Sequence, residues 1–314
     1  MILVLGDLLL DLSLRIASFP VRAEDMQPLA DIDLGPGGAT NVAIVASRLG
    51  LEVGCLGEIG DDRFGRLLLD GLQLEGVDTA RVHVTPGGRT PVAGVLVDAA
   101  GEPAYLGFAG KLTLDRLHAA WREALPHAEA LFADGWIDSA GSAELLLEAF
   151  RVAHEAEVPV FFDPGPGNPR FERHWQRRAA GLATVVMGTE PQLAALGGGL
   201  EPQDIAQELL AGGAKLIVIK RGSHGSILMR SDETLEAPAF RVEVVDATGA
   251  GDSLDAAILF GFLRGLPLRE LADLGNAAGA AKVAKWGTGH HLPTPAEIRK
   301  VLTDNGLTPD SLPG

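Results

Sequence analysis

The stretch Val244-Val245-Asp246-Ala247-Thr248-Gly249-Ala250-Gly251-Asp252-Ser253-Leu254 constrains this chain more than any other. Two β-branched residues predict the end of a strand. A glycine-broken turn follows, and then Leu254, Ala257, Ile258, Phe260, Gly261 and Leu263 recur as a buried helix would. The backbone N–H groups of Gly249, Ala250, Gly251 and Asp252 are expected to open that helix. A helix N-terminus offers unpaired donors and the positive end of the dipole, so the turn welcomes an anion such as a phosphate. Gly249 and Gly251 let the backbone approach a ligand closely. Asp252 is out of place in a purely structural phosphate cradle, because a carboxylate repels a phosphate. It reads either as an acid that complements the helix dipole or as a base that takes a proton from the group attacking the phosphate. The setting between a strand and a buried helix favours the base.

The 314 residues, 46% hydrophobic and 22% charged, suit one large α/β domain or two smaller ones around an ordinary core. The single cysteine, Cys55, excludes an internal disulfide and a multi-cysteine metal site, and it is expected to be a small buried apolar residue. A formal net charge of −16 argues against nucleic acid and anionic membranes as partners. Any polyphosphate site must therefore be made locally positive by backbone dipoles, metal and a few basic side chains. Met1 to Asp7 lacks a basic leader and is interrupted by Asp7, which predicts a first strand and not a signal peptide. No apolar run approaches the roughly 18 residues that span a membrane. With no disulfide and no leader, the cytoplasm is the expected compartment.

After the first strand, residues 8–14 carry Asp11 among leucines, an acid either on an edge or pointed into a site. Gly35-Pro36-Gly37-Gly38-Ala39-Thr40-Asn41 leads glycines into a small-residue helix that ends at Gly50. It departs from a dinucleotide fingerprint, having Thr40 for the third glycine. Close approach to a polar ligand, with Asn41 bonding hydroxyls, is the better use. Residues 51–59 predict a strand, Asp61-Asp62 a solvated turn and 63–75 a helix. Residues 90–108 alternate about a turn at Gly101, which predicts a β-hairpin. With the extended segment near 12–34 it forms a small sheet outside the main body.

From residue 112 onward, helices and apolar strands alternate. Strands are expected at 130–134, 158–163, 183–187 and 215–220, and helices at 142–157, 190–196, 205–211 and 271–284. A stiff proline-glycine loop is expected over 164–169. The alternation predicts a mostly parallel sheet covered on both faces, with ligands at the carboxyl ends of its strands. Asn276 sits among alanines and glycines, which predicts close helix packing. His290-His291 reads as a surface turn and not a metal site.

Together these residues resemble the ribokinase (PfkB) family of carbohydrate and nucleoside kinases, from Gly6 to about Gly287. Residues 246–252 match the family's second signature and Gly37 to Asn41 its first, in the family's order. The resemblance implies a ribokinase-like, doubly wound α/β fold: a mostly parallel sheet flanked by helices, with a small β-sheet lid. Residues 1–11, 35–89 and 109–314 would form the core with the nucleotide and catalytic site. Residues 12–34 and 90–108 would form the lid, which also offers a homodimer contact. The implied reaction is ATP-dependent phosphorylation of a primary hydroxyl on a sugar or sugar-like molecule. Asp252 is implied as the base, and Gly249, Ala250, Gly251 and Asp252 as the anion hole. Asp11, Gly37, Gly38 and Asn41, with Asp252, would hold the sugar. Thr189, Lys220, Gly222, Ser223, Gly225, Gly251 and Asn276 would border the nucleotide. ATP and Mg²⁺ are implied, and in some members K⁺ at positions matching Asp246 and Thr248.

The chain departs from the family in places. Thr189-Glu190-Pro191-Gln192 stands where Asn-x-x-Glu usually helps organise magnesium and phosphates. The first signature lacks the lysine between glycines of true ribokinases and of sugar-phosphate kinases. Two other readings stand beside the sugar kinase: a nucleoside kinase of the same family, which a scarcity of rings (5% aromatic) disfavours, and a sugar- or nucleotide-binding regulator without turnover.

Overall fold

The structure is a computed structural model that describes residues 1–24, 26–112, 116–136, 140–165, 174–308 and 312. In chain order the strands are β1 (Ile2–Leu5), β2 (Leu8–Arg15), β3 (Asp31–Gly38), β4 (Val53–Leu56), β5 (Glu58–Gly60), β6 (His83–Thr85), β7 (Val92–Val97), β8 (Pro103–Phe108), β9 (Ala130–Asp134), β10 (Val160–Asp163), β11 (Val185–Thr189), β12 (Leu216–Lys220), β13 (Ser226–Met229) and β14 (Thr234–Ala237). The α-helices are α1 (Thr40–Arg48), α2 (Arg63–Leu74), α3 (Ala119–Ala124), α4 (Ala140–Glu155), α5 (His174–Ala180), α6 (Glu190–Leu196), α7 (Pro202–Ala211), α8 (Ala250–Leu263), α9 (Leu268–Val283) and α10 (Pro295–Asp304).

Short apolar runs make the main sheet because both of its faces are covered, as a parallel sheet requires. Its order is β14-β13-β12-β11-β10-β9-β1-β4, parallel from β12 to β4 and antiparallel at β13 and β14. Alternate side chains serve opposite cores. Ile2, Val4, Phe132 and Phe161 pack with the buried residues of α1, α8 and α9. Leu3, Leu5, Leu131 and Phe162 pack with those of α4 and α7. This is the mostly parallel sheet, covered by helices on both faces, that the sequence predicts.

A separate sheet of order β3-β2-β7-β8 stands outside this body. The 90–108 hairpin is present, with Val92 opposite Phe108. The glycine run leading into α1 is itself strand: Gly35 to Gly38 closes β3, antiparallel to β2, with Gly35 opposite Asp11. Two expectations fail. The single strand over 51–59 splits at Gly57 into β4 and β5, which belong to different sheets. A Cβ on Gly57 would stand 2.4 Å from Leu8 Cγ, so the chain turns under that side chain. Val244 and Val245 do not end a strand. That segment is irregular, and the Val245 N–H donates to the Val283 carbonyl at the end of α9 at 2.7 Å. The expected loop at 164–169 lies from residue 166 onward outside the described residues. Cys55 is buried and unpaired. No helix among the described residues is long and apolar enough to cross a membrane.

Candidate active site

Four neighbouring parallel strands end on polar residues at the same edge of the sheet. Asp134 closes β9 in register with Asp163 at the end of β10, and Thr189 closes β11 opposite Lys220 at the end of β12. This carboxyl edge is where open α/β sheets take ligands. Helix α8 reaches the same edge through Asp255. Lys220 Nζ, almost fully buried, donates to Asp163 Oδ2 at 2.6 Å and to Asp255 Oδ2 at 2.9 Å. Burial alone would push the ammonium down, but the two carboxylates hold it above its ordinary value. Lys220, expected to border the nucleotide, therefore lies beneath the α8 turn. A Cβ on Gly251 would stand 3.5 Å from its Nζ.

The turn that opens α8 starts on a glycine, as expected. Gly249 caps α8 with φ 77°, a left-handed conformation natural to glycine. First-turn amides have no partner within a helix. The Ser253 N–H is the first to bond back, to the Gly249 carbonyl at 3.0 Å. The Ala250 N–H donates to the Ala247 carbonyl at 3.3 Å, so of the four expected donors it already has an acceptor.

Facing this turn, side chains from distant parts of the sequence converge. Asn41 Nδ2 donates to Asp252 Oδ2 at 2.8 Å, and Asn41 Oδ1 accepts from the Gly289 N–H at 3.4 Å. Thr288 Oγ1 donates to Asp11 Oδ2 at 2.8 Å. Gly38, at φ 62°, turns β3 into α1. Burial pushes the Asp11 carboxyl up to about 7, against the Thr288 bond, and the charges of Asp252 and Asp246 add to the rise. Burial also raises Asp252, opposed by the Asn41 bond and the Lys220 charge. A carboxylate poised in this way suits a group that must take up a proton during a reaction.

Gly37 is required by Asp11: a Cβ there would stand 2.2 Å from the Asp11 Cγ. Gly37→Ala should therefore swing that carboxylate out of place. Were this carboxylate to hold an acceptor hydroxyl, the Michaelis constant for that acceptor would rise roughly 10- to 100-fold, the worth of a charged hydrogen bond of about 1.5–3 kcal/mol, with melting little changed. Steady-state kinetics on the variant check this.

Of the residues expected to border the nucleotide, Gly222 and Ser223 are exposed in a short 3₁₀ turn after β12. Gly225 and Asn276 have packing reasons. A Cβ on Gly225 would stand 2.1 Å from the Ala237 carbonyl, and Asn276 Nδ2 donates to the Ala237 and Pro238 carbonyls at 3.3 and 3.2 Å. Thr189 and Gln192 cap α6 reciprocally: Gln192 Oε1 accepts from the Thr189 N–H at 2.6 Å and Thr189 Oγ1 from the Gln192 N–H at 3.4 Å. Glu190 lies 3.4 Å from Arg221 Nε.

Asp246 is held from several sides. Its Oδ1 accepts from the Thr248 N–H and its Oδ2 from the Gly287 N–H, each at 2.9 Å. Lys282, fully buried beside Gly249, donates to the Asp246 carbonyl at 3.3 Å and to the Lys285 carbonyl at 3.1 Å. Burial pushes Lys282 down to about 8. His290 and His291 pair with Glu75 and Asp33 at 2.8 and 3.3 Å, and the described residues hold no cluster of three metal-ligating side chains.

Thr288, Asp163, Asp255, Lys282 and Tyr105 were not found from sequence. Loss of water around the Tyr105 phenol raises it, and the charges of Asp252, Asp11 and Asp246 add to the rise, which puts β8 against the site. Asp255 left one trace, an acid inside an otherwise apolar helix. The partners of the others come only from the fold.

The family description "pfkB family carbohydrate kinase" matches residues 1–295. A 5-dehydro-2-deoxygluconokinase of Bacillus thuringiensis is 28% identical over 278 residues, covering 83% of either chain. Fructokinase-1 of Oryza sativa subsp. japonica is 31% identical over 292 residues, covering 85% of this chain and 88% of its own. The structure of Arabidopsis thaliana ribokinase complexed with ribose and ATP superposes with a TM-score of 0.80 at 21% identity, covering 96% of this chain and 97% of that one. The chain thus belongs to the pfkB family of carbohydrate kinases and is a phosphotransferase that acts on a sugar hydroxyl.

Proposed function

We propose that the protein transfers the γ-phosphoryl of ATP to a primary hydroxyl of a sugar or sugar-like molecule, with Asp252 as the base. The observation that carries this reading is the Asn41–Asp252 bond of 2.8 Å at the mouth of the α8 turn, facing the Asp11–Thr288 pair. Phosphoryl transfer is mostly positioning plus charge stabilisation. Asp11, Asn41 and Thr288 would fix the hydroxyls of the acceptor. Asp252 would take the proton of the attacking hydroxyl as the new O–P bond forms. The amides of Gly249, Gly251 and Asp252 would gather the charge of the transferred group; one such donor is worth about 2.7–4 kcal/mol where it has been removed. The small sheet, carrying Tyr105, would cover the acceptor and exclude water, which competes as an acceptor.

Magnesium, bound with the nucleotide, would neutralise charge on its phosphates. It keeps most of its waters in such sites and takes one or two carboxylates. The Thr189 hydroxyl and the exposed Glu190, at the end of β11, are oxygen donors that fit such a water-mediated role. Gln192→Glu retains the capping geometry and adds a carboxylate to this segment. The magnesium concentration giving half-maximal rate should fall several-fold, with melting unchanged; an unchanged requirement would mean that the segment does not reach the metal.

A nucleoside acceptor is the second reading. It is favoured by Tyr105 and Trp136, whose rings meet edge-on at 6.0 Å and offer a base apolar faces. A binder without turnover gains nothing from a carboxylate facing an anion site. The exposed Ile32, Leu34, Leu106 and Phe108 of the small sheet would be covered by a second copy in a homodimer. The cytoplasm, where ATP is supplied, is the compartment that fits. Mixing the protein with MgATP and a panel of pentoses, hexoses, keto-deoxy acids and nucleosides, and following ADP, tests the reading. Turnover with a sugar or keto-deoxy acid supports it, turnover with nucleosides alone moves the assignment to the second reading, and no turnover across the panel removes both.

A further inference from the structure

The resemblance implies a monovalent cation at Asp246 and Thr248, and the oxygens of this chain do not fit one. A potassium ion needs a shell of several oxygens with no other cation already among them. Both carboxylate oxygens of Asp246 already accept backbone N–H groups, from Thr248 and Gly287 at 2.9 Å. The Asp246 carbonyl accepts from Lys282 Nζ at 3.3 Å, and the same Nζ stands 3.9 Å from Asp246 Oδ2. A metal cation bound to these oxygens would lie against an ammonium already there.

We propose that the ammonium of Lys282 takes the place of the monovalent cation, so that this enzyme carries its own positive charge behind the anion-gathering turn and needs no potassium. The inference rests on the phosphoryl-transfer reading of residues 249–252.

The geometry gives the ammonium a positioning task. Lys282 leaves α9 within its last turn and is fully buried. Its stem passes Gly249, where a Cβ would stand 3.5 Å from Lys282 Cε. Its head joins the carbonyls of Asp246 and Lys285 at 3.3 and 3.1 Å, tying the loop before α8 to the loop after α9. That second loop continues directly into Gly287, Thr288 and Gly289, which bond Asp246, Asp11 and Asn41. One lysine thus braces the turn that would hold the phosphoryl group and the loop that would hold the acceptor. A diffusible cation between the same carbonyls would do the same work by the same electrostatics. A tethered one costs no binding equilibrium and does not respond to cation concentration.

The test has an arm that needs no substrate. Melting of the wild-type protein should be the same in potassium chloride as in tetramethylammonium chloride at equal ionic strength, and crystals soaked in rubidium should show no anomalous peak beside Asp246 or Thr248. A potassium-dependent rise in melting temperature, or a rubidium peak there, overturns the proposal whether or not any sugar is phosphorylated. In the kinetic arm, the wild-type rate with its best acceptor should change less than about twofold between the two salts, where a required cation gives tenfold or more, about 1.4 kcal/mol of barrier. Lys282→Ala should lower kcat more than about tenfold while the Michaelis constant for the sugar moves less than about threefold, and potassium or ammonium chloride should restore part of the loss. A Lys282→Ala protein as active as wild type in tetramethylammonium chloride overturns the proposal. Should that variant fail to fold, the wild-type melting and rubidium measurements decide alone.

Discussion

Asp252→Asn should lower turnover by roughly 10²–10⁴-fold, the usual worth of a positioned base, while nucleotide affinity changes little. The substitution keeps the shape of the side chain, and an amide oxygen still accepts from Asn41 Nδ2, which now bonds the carboxylate at 2.8 Å. Helix α8 should keep its start, because Gly249 caps it and its body is buried from Ser253 to Gly261. What is lost is the ability to receive a proton. The pH dependence gives an independent signature. Burial raises the Asp252 carboxyl above its ordinary value, against the Asn41 bond and the Lys220 charge. A base works only unprotonated, so the wild-type rate should fall as pH drops through that raised value. The residual rate of the Asn variant should lack that acid limb, apart from any contribution of Asp11, which titrates at about 7. Steady-state rates from pH 5 to 9, with nucleotide binding by calorimetry, check both. A variant that keeps more than about a tenth of the wild-type rate would remove Asp252 from the role of base.

The role proposed for Asp252 was open to the sequence because its signal is local. A glycine at the cap, a second glycine two residues later and an acid next to it, before a mostly apolar run, lie within four residues of one another along the chain. Asp11 was legible for a related reason: a carboxylate among leucines needs a partner or a task. The bond that holds it was not legible, because Thr288 lies 277 residues away and only the fold brings the 287–289 loop onto β2. Lys220 was legible as a residue of the carboxyl edge, but its partners were not: Asp163 and Asp255, 57 and 35 residues away, draw the ammonium under the α8 turn. The strand expected at Val244-Val245 failed through its composition. β-branched residues signal a half-buried pleated surface, but Val244 is exposed and the segment leans its amides on the end of α9. The glycines at 35–38 were read as a helix lead-in and are strand, because the absence of a side chain at Gly37 makes room for the carboxylate of Asp11 on the neighbouring strand.

Lys220→Met should destabilise the protein by about 3–5 kcal/mol, the cost of removing one partner from a buried ion pair. In a chain of this size that corresponds to a fall of roughly 5–15 °C in melting temperature. The methionine fills much the same space, so the loss is electrostatic: Asp163 and Asp255 remain almost fully buried with no cation between them. The sign of the pH dependence follows from Asp255. Burial already raises its carboxyl well above the ordinary value, with the Lys220 charge pulling it back down. Without Lys220 the folded-state value climbs further. A carboxyl raised in the folded state stabilises fully below its unfolded value and loses that contribution as pH rises through the folded value. The deficit of Lys220→Met should therefore be small near pH 5 and largest near pH 8. Replacing the second charge as well, in Lys220→Met/Asp255→Leu, should recover at least half of the stability, because a buried pair exchanged for apolar side chains is often neutral. Melting curves of both variants at the two pH values decide it: an unchanged melting temperature in Lys220→Met, or a deficit larger in acid, would mean that this ion cluster is not what anchors α8 to the strand ends. Asp255 stands one turn after Asp252 on that helix, so the double variant, though folded, should still turn over more slowly than wild type, its base no longer fixed against the edge of the sheet.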